Sequence, residues 1–392
     1  MTHYSHLLVG GGMTADAAAR GIREIDANAT IGLIGAESHP PYSRPPLSKG
    51  LWKDTALASI WSDTAAAGVA LHLGRRVTAL DPEARQVTDD VGAVYTYDKL
   101  LLATGGTPRR LSSDPDDVIY FRTYDDYARL RAMSAVRRKV IVIGGGFIGS
   151  EIAAALRMQE HEVTMLMPEE GIGSRVFPAD LSRHLVDYFG ERGIAVLTGR
   201  GVASVRRNDA QTIVTTTTGD ALAADAVVAG LGLTPNVELA ERAGLEVANG
   251  IVVDEFLRTR RPDIYAAGDV ANFYSPALDT RRRVEHEDNA VSMGRQAGRN
   301  MAGDAVACHH LPFFYSDLFE LGYEAVGDLD ARLQTVADWK VPFREGVIYY
   351  LRDGRVRGVL LWNVWGQLDA ARRLIADSGP ITASALIGRL PE

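Results

Sequence analysis

The sequence predicts an α/β fold: two Rossmann-like domains, plus a C-terminal α+β domain with an antiparallel sheet. Three observations lead to it. A short apolar run ends in three consecutive glycines and continues as an Ala-rich segment of helical period, at residues 7–9, 10–12 and 15–25. The same pattern returns at residues 140–143, 144–146 and 148–158. Beyond about Met301 aromatic residues become dense, and the alternating runs 347–351 and 356–362 flank Asp353-Gly354, a dipeptide suited to a two-residue hairpin turn. The expected domains are 1–115 together with 246–308, then 116–245, then 309–392.

With 392 residues, of which 46% are hydrophobic and 23% charged, the chain is long and apolar enough for several packed domains and too apolar for disorder. Lys plus Arg number 42 against 50 Asp plus Glu, a net charge of −8, so no basic surface field draws it to nucleic acid. A single cysteine, Cys308, leaves no intramolecular disulfide and no thiolate metal site, and no metal centre is expected. Redox chemistry therefore has to come from a cofactor. Residues 1–6 are polar and run directly into the strand-like 7–9, and no stretch of about eighteen apolar residues occurs. No secretory signal, no membrane span and a cytoplasmic location are the corresponding expectations.

The two glycine turns carry the binding argument. In the first, Gly10 and Gly12 open the turn and Ala15 takes the third small position. Glycine is needed where backbone approaches a pyrophosphate, and a small residue where helix meets strand. The anion sits at the helix N-terminus, against unpaired N–H groups and the positive end of the dipole. Glu37, just past the strand 30–34, is placed to accept hydrogen bonds from adenosine ribose hydroxyls; the bland alternative is a solvated strand end. The second turn uses Gly144, Gly146 and Gly149, and Glu169 follows the strand 162–166. Glu169 and Glu170 repel a 2′-phosphate and so favour NAD(H), while Arg175 leaves some room for NADP(H). Two more strands, 97–103 and 263–267, end in Thr104-Gly105-Gly106 and Gly268-Asp269, like strands emptying into a ligand crevice. Two such sites in one chain imply that one holds FAD permanently and the other admits a nicotinamide that delivers hydride to it.

Longer motifs add a family resemblance. Residues 40–49 (PPYSRPPLSK), 103–109 (ATGGTPR) and Ala267-Gly268-Asp269 resemble the ferredoxin/rubredoxin-reductase type of FAD-dependent pyridine-nucleotide oxidoreductase. Residues 281–286 (RRRVEH), 322–327 (GYEAVG) and 346–353 (GVIYYLRD) are similar to the apoptosis-inducing-factor group within it, and the likeness covers nearly the whole chain. The resemblance implies that Arg44 and Lys49 hold the flavin, with Lys49 near the reactive ring nitrogen and paired to Glu151. It implies FAD contacts from Thr104, Gly105, Asp269 and Arg109. It places Phe147 and His286 on either side of the nicotinamide, with Gly232 on the same nucleotide, and so makes Lys49, Glu151, His286 and Phe147 the catalytic set. A carboxylate partner for Lys49 is physically reasonable, because an unpaired buried ammonium is costly. Asp269 also fits a helix N-cap. The acidic neighbours of His286, at positions 285, 287 and 288, suggest a metal only weakly, since consecutive residues point different ways. Tyr315 stands where the group carries a tryptophan against the flavin. The chain lacks the group's mitochondrial leader and long C-terminal insertion, so a compact microbial relative without a death-signalling role is expected.

The expected function is an FAD-dependent NADH oxidoreductase. Hydride passes from NADH to the flavin, and electrons then pass to an acceptor: a ferredoxin- or rubredoxin-like protein, a quinone or oxygen. The alternative is an NADH-sensing flavoprotein whose charge-transfer complex controls dimerisation and partner binding, and a homodimer is expected by family analogy. A disulfide or peroxide reductase is disfavoured, since Cys308 is alone beside His309 and His310 and reads best as a buried thiol.

Overall fold

The computed structural model describes residues 1–112, 118–208, 211–377 and 379–390. The chain divides into two compact units, one made of Met1–Ser43, Leu57–Thr107 and Thr234–Phe313, the other of Arg44–Ala56, Pro108–Leu233 and Phe314–Glu392. The expected boundary between 115 and 116 lies outside the described residues.

In the first unit the strand Thr2–Val9 pairs in parallel with Ile31–Gly35 on one side and Val94–Leu102 on the other, Leu8 standing opposite Leu33 and Leu101. Val69–Leu73 extends the sheet beyond Ile31–Gly35, and Ile264–Ala266 lies parallel to Val94–Leu102. Leu7, Leu8, Leu33 and Leu100 to Leu102 are all fully buried, as strands covered on both faces must be. Residues 234–313 return to this unit, where the helix Glu287–Met301 packs against the helix Met13–Ile25 with backbones nearly touching. A Cβ on Gly298 would lie 2.0 Å from the Ala18 carbonyl oxygen, and one on Gly294 2.4 Å from that of Thr14. Only glycine four residues apart on one helix face permits that approach.

The second unit repeats the pattern. Lys139–Ile143 lies in parallel between Glu162–Leu166 and Ala226–Ala229, with Ile194–Leu197 and Val118–Tyr120 outside them. A small antiparallel sheet, Val202–Asn208, Gln211–Thr216 and Ala221–Ala224, is attached. The segment Arg44–Ala56 clusters here although it lies within the first hundred residues. Trp52 explains this: it is fully buried, its indole N–H donates to the Leu47 carbonyl at 2.7 Å, and it meets the Tyr127 ring edge-on.

The C-terminal part is a five-stranded antiparallel sheet in the order Phe313–Leu318, Leu321–Gly327, Arg355–Trp362, Glu345–Arg352, Gln334–Val341. Its central hairpin turns at Asp353 and Gly354, with φ of 53° and 73° and Arg352 facing Arg355. That is the mirror-image turn whose twist matches paired strands. Tyr349 and Tyr350, and Val359 through Trp362, are all fully buried, so both faces are covered. The helix Leu368–Ala376 packs against Leu321–Gly327 and Arg355–Trp362, and Phe177 meets Tyr323 and Trp362 edge-on.

Candidate active site

The first glycine turn is built as its composition requires. Gly10 has φ of +131°, and a Cβ there would lie 2.1 Å from the Ala103 carbonyl oxygen. Its N–H donates to Ile34 at 2.9 Å, tying the turn to the neighbouring strand. The helix Met13–Ile25 then starts at Gly12 with no side-chain cap, and Ala15 is fully buried beneath it. Uncapped N–H groups at a helix start are the donor set a pyrophosphate needs, so the residues present fit one. Glu37 lies at the end of the second strand, where Tyr42 donates to its carboxylate at 2.6 Å and fixes its direction. Tyr42 lies in the 40–49 motif, where nothing in the sequence marks it for this task. Thr104 and Asn236 exchange hydrogen bonds, Thr104 Oγ1 to the Asn236 carbonyl and Asn236 Nδ2 to the Thr104 carbonyl, both 2.8 Å. The N–H of Asn236 reaches the Gly105 carbonyl at 3.0 Å. Asp269 is the middle residue of the short helix Gly268–Val270, whose N-cap is Ala267, so the N-cap reading of Asp269 does not hold; its carbonyl accepts from Arg283 at 3.0 Å.

His286 occupies the N-cap position of the helix Glu287–Met301. Burial lowers its imidazole pKa to about 4, although Asp269 and Asp288 pull the other way, and the residue as a whole keeps some accessible surface. It is therefore neutral at pH 7. The unfolded chain takes up this proton near pH 6.5, so between 6.5 and about 4 the unfolded state binds more protons and stability falls with pH. The expected loss is about 3 kcal/mol across that window, measured by urea unfolding at pH 7 and pH 4. His6 and His161, lowered by burial, act in the same direction. His286→Asn should flatten the acid limb, and an unchanged limb would refute the assignment.

The second glycine turn matches the first. Gly144 has φ of +106°, and a Cβ there would lie 2.4 Å from the Gly230 carbonyl oxygen. Gly149 closes on Gly144 in the same way, its Cβ position 2.0 Å from the Gly144 carbonyl oxygen. Gly146 starts the helix Phe147–Met158, again uncapped, and nothing lies within 4 Å of where its Cβ would be. An uncapped helix start beside open space fits a second pyrophosphate. Glu169, beyond the next strand, carries Arg175 on its carboxylate at 2.8 Å, with Glu169 26% and Arg175 81% exposed. Gly232, φ +81°, accepts the Arg109 N–H at 2.9 Å, and the Arg109 side chain is exposed and directed to the Leu233 carbonyl.

Between these features in sequence lies the least exposed charged group of the second unit's candidate site. Lys49 Nζ meets Glu151 Oε1 at 2.7 Å, with side chains 13% and 3% exposed. Glu151 reaches this place because it stands in the second turn of the glycine-started helix. Its carboxylate also accepts from Ser48 and Ser316, each at 2.6 Å. On its other side Lys49 lies over the Tyr315 ring, 5.1 Å from the centroid. Phe147 packs on Phe314 with ring centroids 5.0 Å apart. Arg44 donates to the Arg122 carbonyl at 3.1 Å. Lys49, Glu151, Phe147 and Tyr315 thus come together within the second unit, while His286 belongs to the first. A hydroxyl has no spacing signature, so beyond the place of Ser48 in the 40–49 motif and the adjacency of Ser316 to Tyr315 nothing in the sequence marks the two serines for this task.

Two glycine-turn units in one chain, one followed by a buried lysine–carboxylate pair, define an oxidoreductase of the two-dinucleotide, flavin-containing class. Comparison with known proteins specifies it. The family model for pyridine nucleotide-disulphide oxidoreductases matches residues 4–294, and that for the C-terminal part of apoptosis-inducing factor, mitochondrion-associated, matches 297–342 and 337–377. The chain belongs to the pyridine nucleotide-disulphide oxidoreductase family and takes FAD and NAD(H) as cofactors. It is 36% identical, over 94% of its length and 93% of the relative's, to a ferredoxin–NAD(+) reductase component of an anthranilate 1,2-dioxygenase system from Burkholderia cepacia. It is 32% identical over 95% of its length to a putative mitochondrial apoptosis-inducing factor 1 from Drosophila melanogaster, of whose length it spans 63%. Among solved structures, the putidaredoxin reductase–putidaredoxin complex matches with a TM-score of 0.91 at 31% identity, over 98% of this chain and 96% of that one.

Proposed function

We propose that this chain is an FAD-dependent NADH oxidoreductase that passes electrons to a ferredoxin-type acceptor protein. The observation that carries the reading is the pair of uncapped glycine-turn helices in one chain, each with an acid beyond its second strand. Reductase components among the relatives support the choice of acceptor. The chemistry that FAD would supply when bound is acceptance of hydride from NADH and donation of electrons to the acceptor. The protein's part is binding and electrostatics. Gly10, Gly12 and Ala15 hold one pyrophosphate, with Glu37 on its ribose, and Arg44, Thr104, Gly105, Arg109, Asp269 and Tyr315 complete the FAD set. Gly144, Gly146, Gly149 and Gly232 hold the nicotinamide nucleotide, with Glu169 on its ribose. Lys49, fixed by Glu151, sets positive charge where the reduced ring gains negative charge. Phe147 and the neutral His286 give the nicotinamide flat surfaces without adding charge. In the same reading residues 1–115 with 246–308 form the FAD domain, 116–245 the NAD(H) domain and 309–392 the C-terminal domain.

The test is anaerobic addition of NADH to the purified yellow protein. Prompt bleaching followed by rapid reoxidation with a ferredoxin supports the reductase, and no bleaching refutes it. Nucleotide choice is tested separately. Glu169→Ala removes the acid that opposes a 2′-phosphate and releases Arg175 to meet it, so kcat/KM for NADPH relative to NADH is expected to rise about tenfold or more. An unchanged ratio would remove Glu169 from the ribose site.

The C-terminal match to apoptosis-inducing factor favours a second reading, in which NADH binding changes partner affinity or dimerisation. Molecular mass measured with and without NADH distinguishes it: a mass that follows NADH, with slow acceptor turnover, selects the sensor. Among the described residues no helix is long and apolar enough to cross a membrane. We assign the protein to the cytoplasm, which cell fractionation would test.

A further inference from the structure

We propose that Ser316, together with Ser48, is a positioning residue for flavin reduction. The two serines hold the Glu151 carboxylate from both oxygens, so that Lys49 has one place to stand, and Ser316 ties that geometry to the C-terminal sheet. This rests on the reductase reading above.

Four side chains make the argument. Glu151 is 3% exposed and cannot turn to water for its hydrogen bonds. Its Oε2 accepts from Ser48 at 2.6 Å, and its Oε1 accepts from Ser316 at 2.6 Å and from Lys49 at 2.7 Å. A carboxylate whose two oxygens take donors from three directions cannot rotate about its last bond without losing one of them. Those donors come from separate parts of the chain. Ser48 and Lys49 lie in the segment Arg44–Ala56, Glu151 on the glycine-started helix, and Ser316 on the strand Phe313–Leu318. Because Ser48 precedes Lys49, its bond also pins the backbone from which the lysine projects.

Ser316 has a second partner. A side-chain hydrogen bond also joins it to Tyr323. Burial pushes the Tyr323 phenol well above its ordinary range, so the phenol stays protonated. Tyr323 is itself immobile. Its ring lies nearly parallel to Trp362, at 6° and 5.5 Å, with Phe177 and Phe314 against it edge-on. The chain Trp362, Tyr323, Ser316, Glu151, Lys49 thus carries the rigidity of a packed sheet to the ammonium. Lysine has a long flexible stem, and a positioned charge is worth more than a wandering one only if something removes that freedom.

The test compares Ser316→Thr with Ser316→Val in the FAD-loaded protein. The two side chains have nearly the same volume and differ in the hydroxyl, so any packing strain is common to both. Anaerobic single-turnover reduction by NADH is followed at several NADH concentrations. FAD content and melting temperature are recorded alongside, and Ser48→Ala is run as a second variant. The Val variant is expected to reduce about tenfold more slowly than the Thr variant at saturating NADH, with NADH affinity and FAD content equal in the two. Its flavin midpoint potential should also be more negative than that of the Thr variant. Thr and Val variants with the same rate and potential would overturn the proposal. A wild-type protein that holds FAD but is not reduced by NADH would instead overturn the underlying reading, before any variant is made.

Discussion

Replacing Lys49 by Ala is expected to slow anaerobic flavin reduction by NADH about a hundredfold, the scale of losing one preorganised charge from a reacting centre. Two effects add. The ammonium that sits 2.7 Å from Glu151 and over the Tyr315 ring is gone, so no fixed positive charge meets the negative charge of the reduced cofactor. The carboxylate left behind is 3% exposed and keeps only the hydroxyls of Ser48 and Ser316. Breaking one side of such a pair costs about 3 kcal/mol of stability. Stopped-flow absorbance measures the first effect and thermal unfolding the second. A variant that reduces at the wild-type rate with full FAD content would remove Lys49 from the catalytic set. Glu151→Gln should retain more stability than Lys49→Ala, because the amide oxygen still accepts from Lys49 and the ammonium it leaves without a counter-charge, 13% exposed, is less buried than the carboxylate stranded by Lys49→Ala, 3% exposed.

Gly144→Ala is expected to separate the two nucleotide sites. The new Cβ would lie 2.4 Å from the Gly230 carbonyl oxygen on a backbone with φ of +106°, so the turn must open before alanine fits. Strain of that kind is worth about 1–3 kcal/mol before the collision is counted. The distortion falls on the turn that starts the helix Phe147–Met158, and a loss of kcat/KM for NADH of about a hundredfold is expected. The first glycine turn, around Gly10, is untouched, so the protein should stay yellow. Dithionite, which needs no nucleotide site, should bleach it normally. Loss of FAD from this variant would mean that the second turn does not bind the nicotinamide nucleotide separately.

Much of the fold was legible from local chemistry. A run such as 140–143 followed by three glycines can hardly be anything but a buried strand breaking into a tight turn, and the structure has Lys139–Ile143 there. The hairpin at Asp353-Gly354 was readable for the same reason, since left-handed φ at both central residues selects such a pair. What could not be read was how the C-terminal strands are covered. Alternation in 347–351 marks a strand but not what lies against its faces, and a helix and Phe177 supplied from elsewhere in the chain bury both.

The candidate site divides along the same line. Gly10, Gly144 and the acids after each second strand follow from the needs of a backbone turn and a ribose, and these are encoded within a few dozen residues. Lys49 and Glu151, by contrast, were paired by family resemblance alone, since 102 positions separate them and no periodicity spans that distance. The partnerships of Tyr42 with Glu37, of Arg175 with Glu169, and of Ser48 and Ser316 with Glu151 were invisible. Sequence by itself determined where the backbone must turn and which stretches must be buried, because both are properties of neighbouring residues. Only the tertiary structure decided which polar groups meet, because a hydrogen bond requires about 3 Å between atoms whose approach depends on every element packed around them.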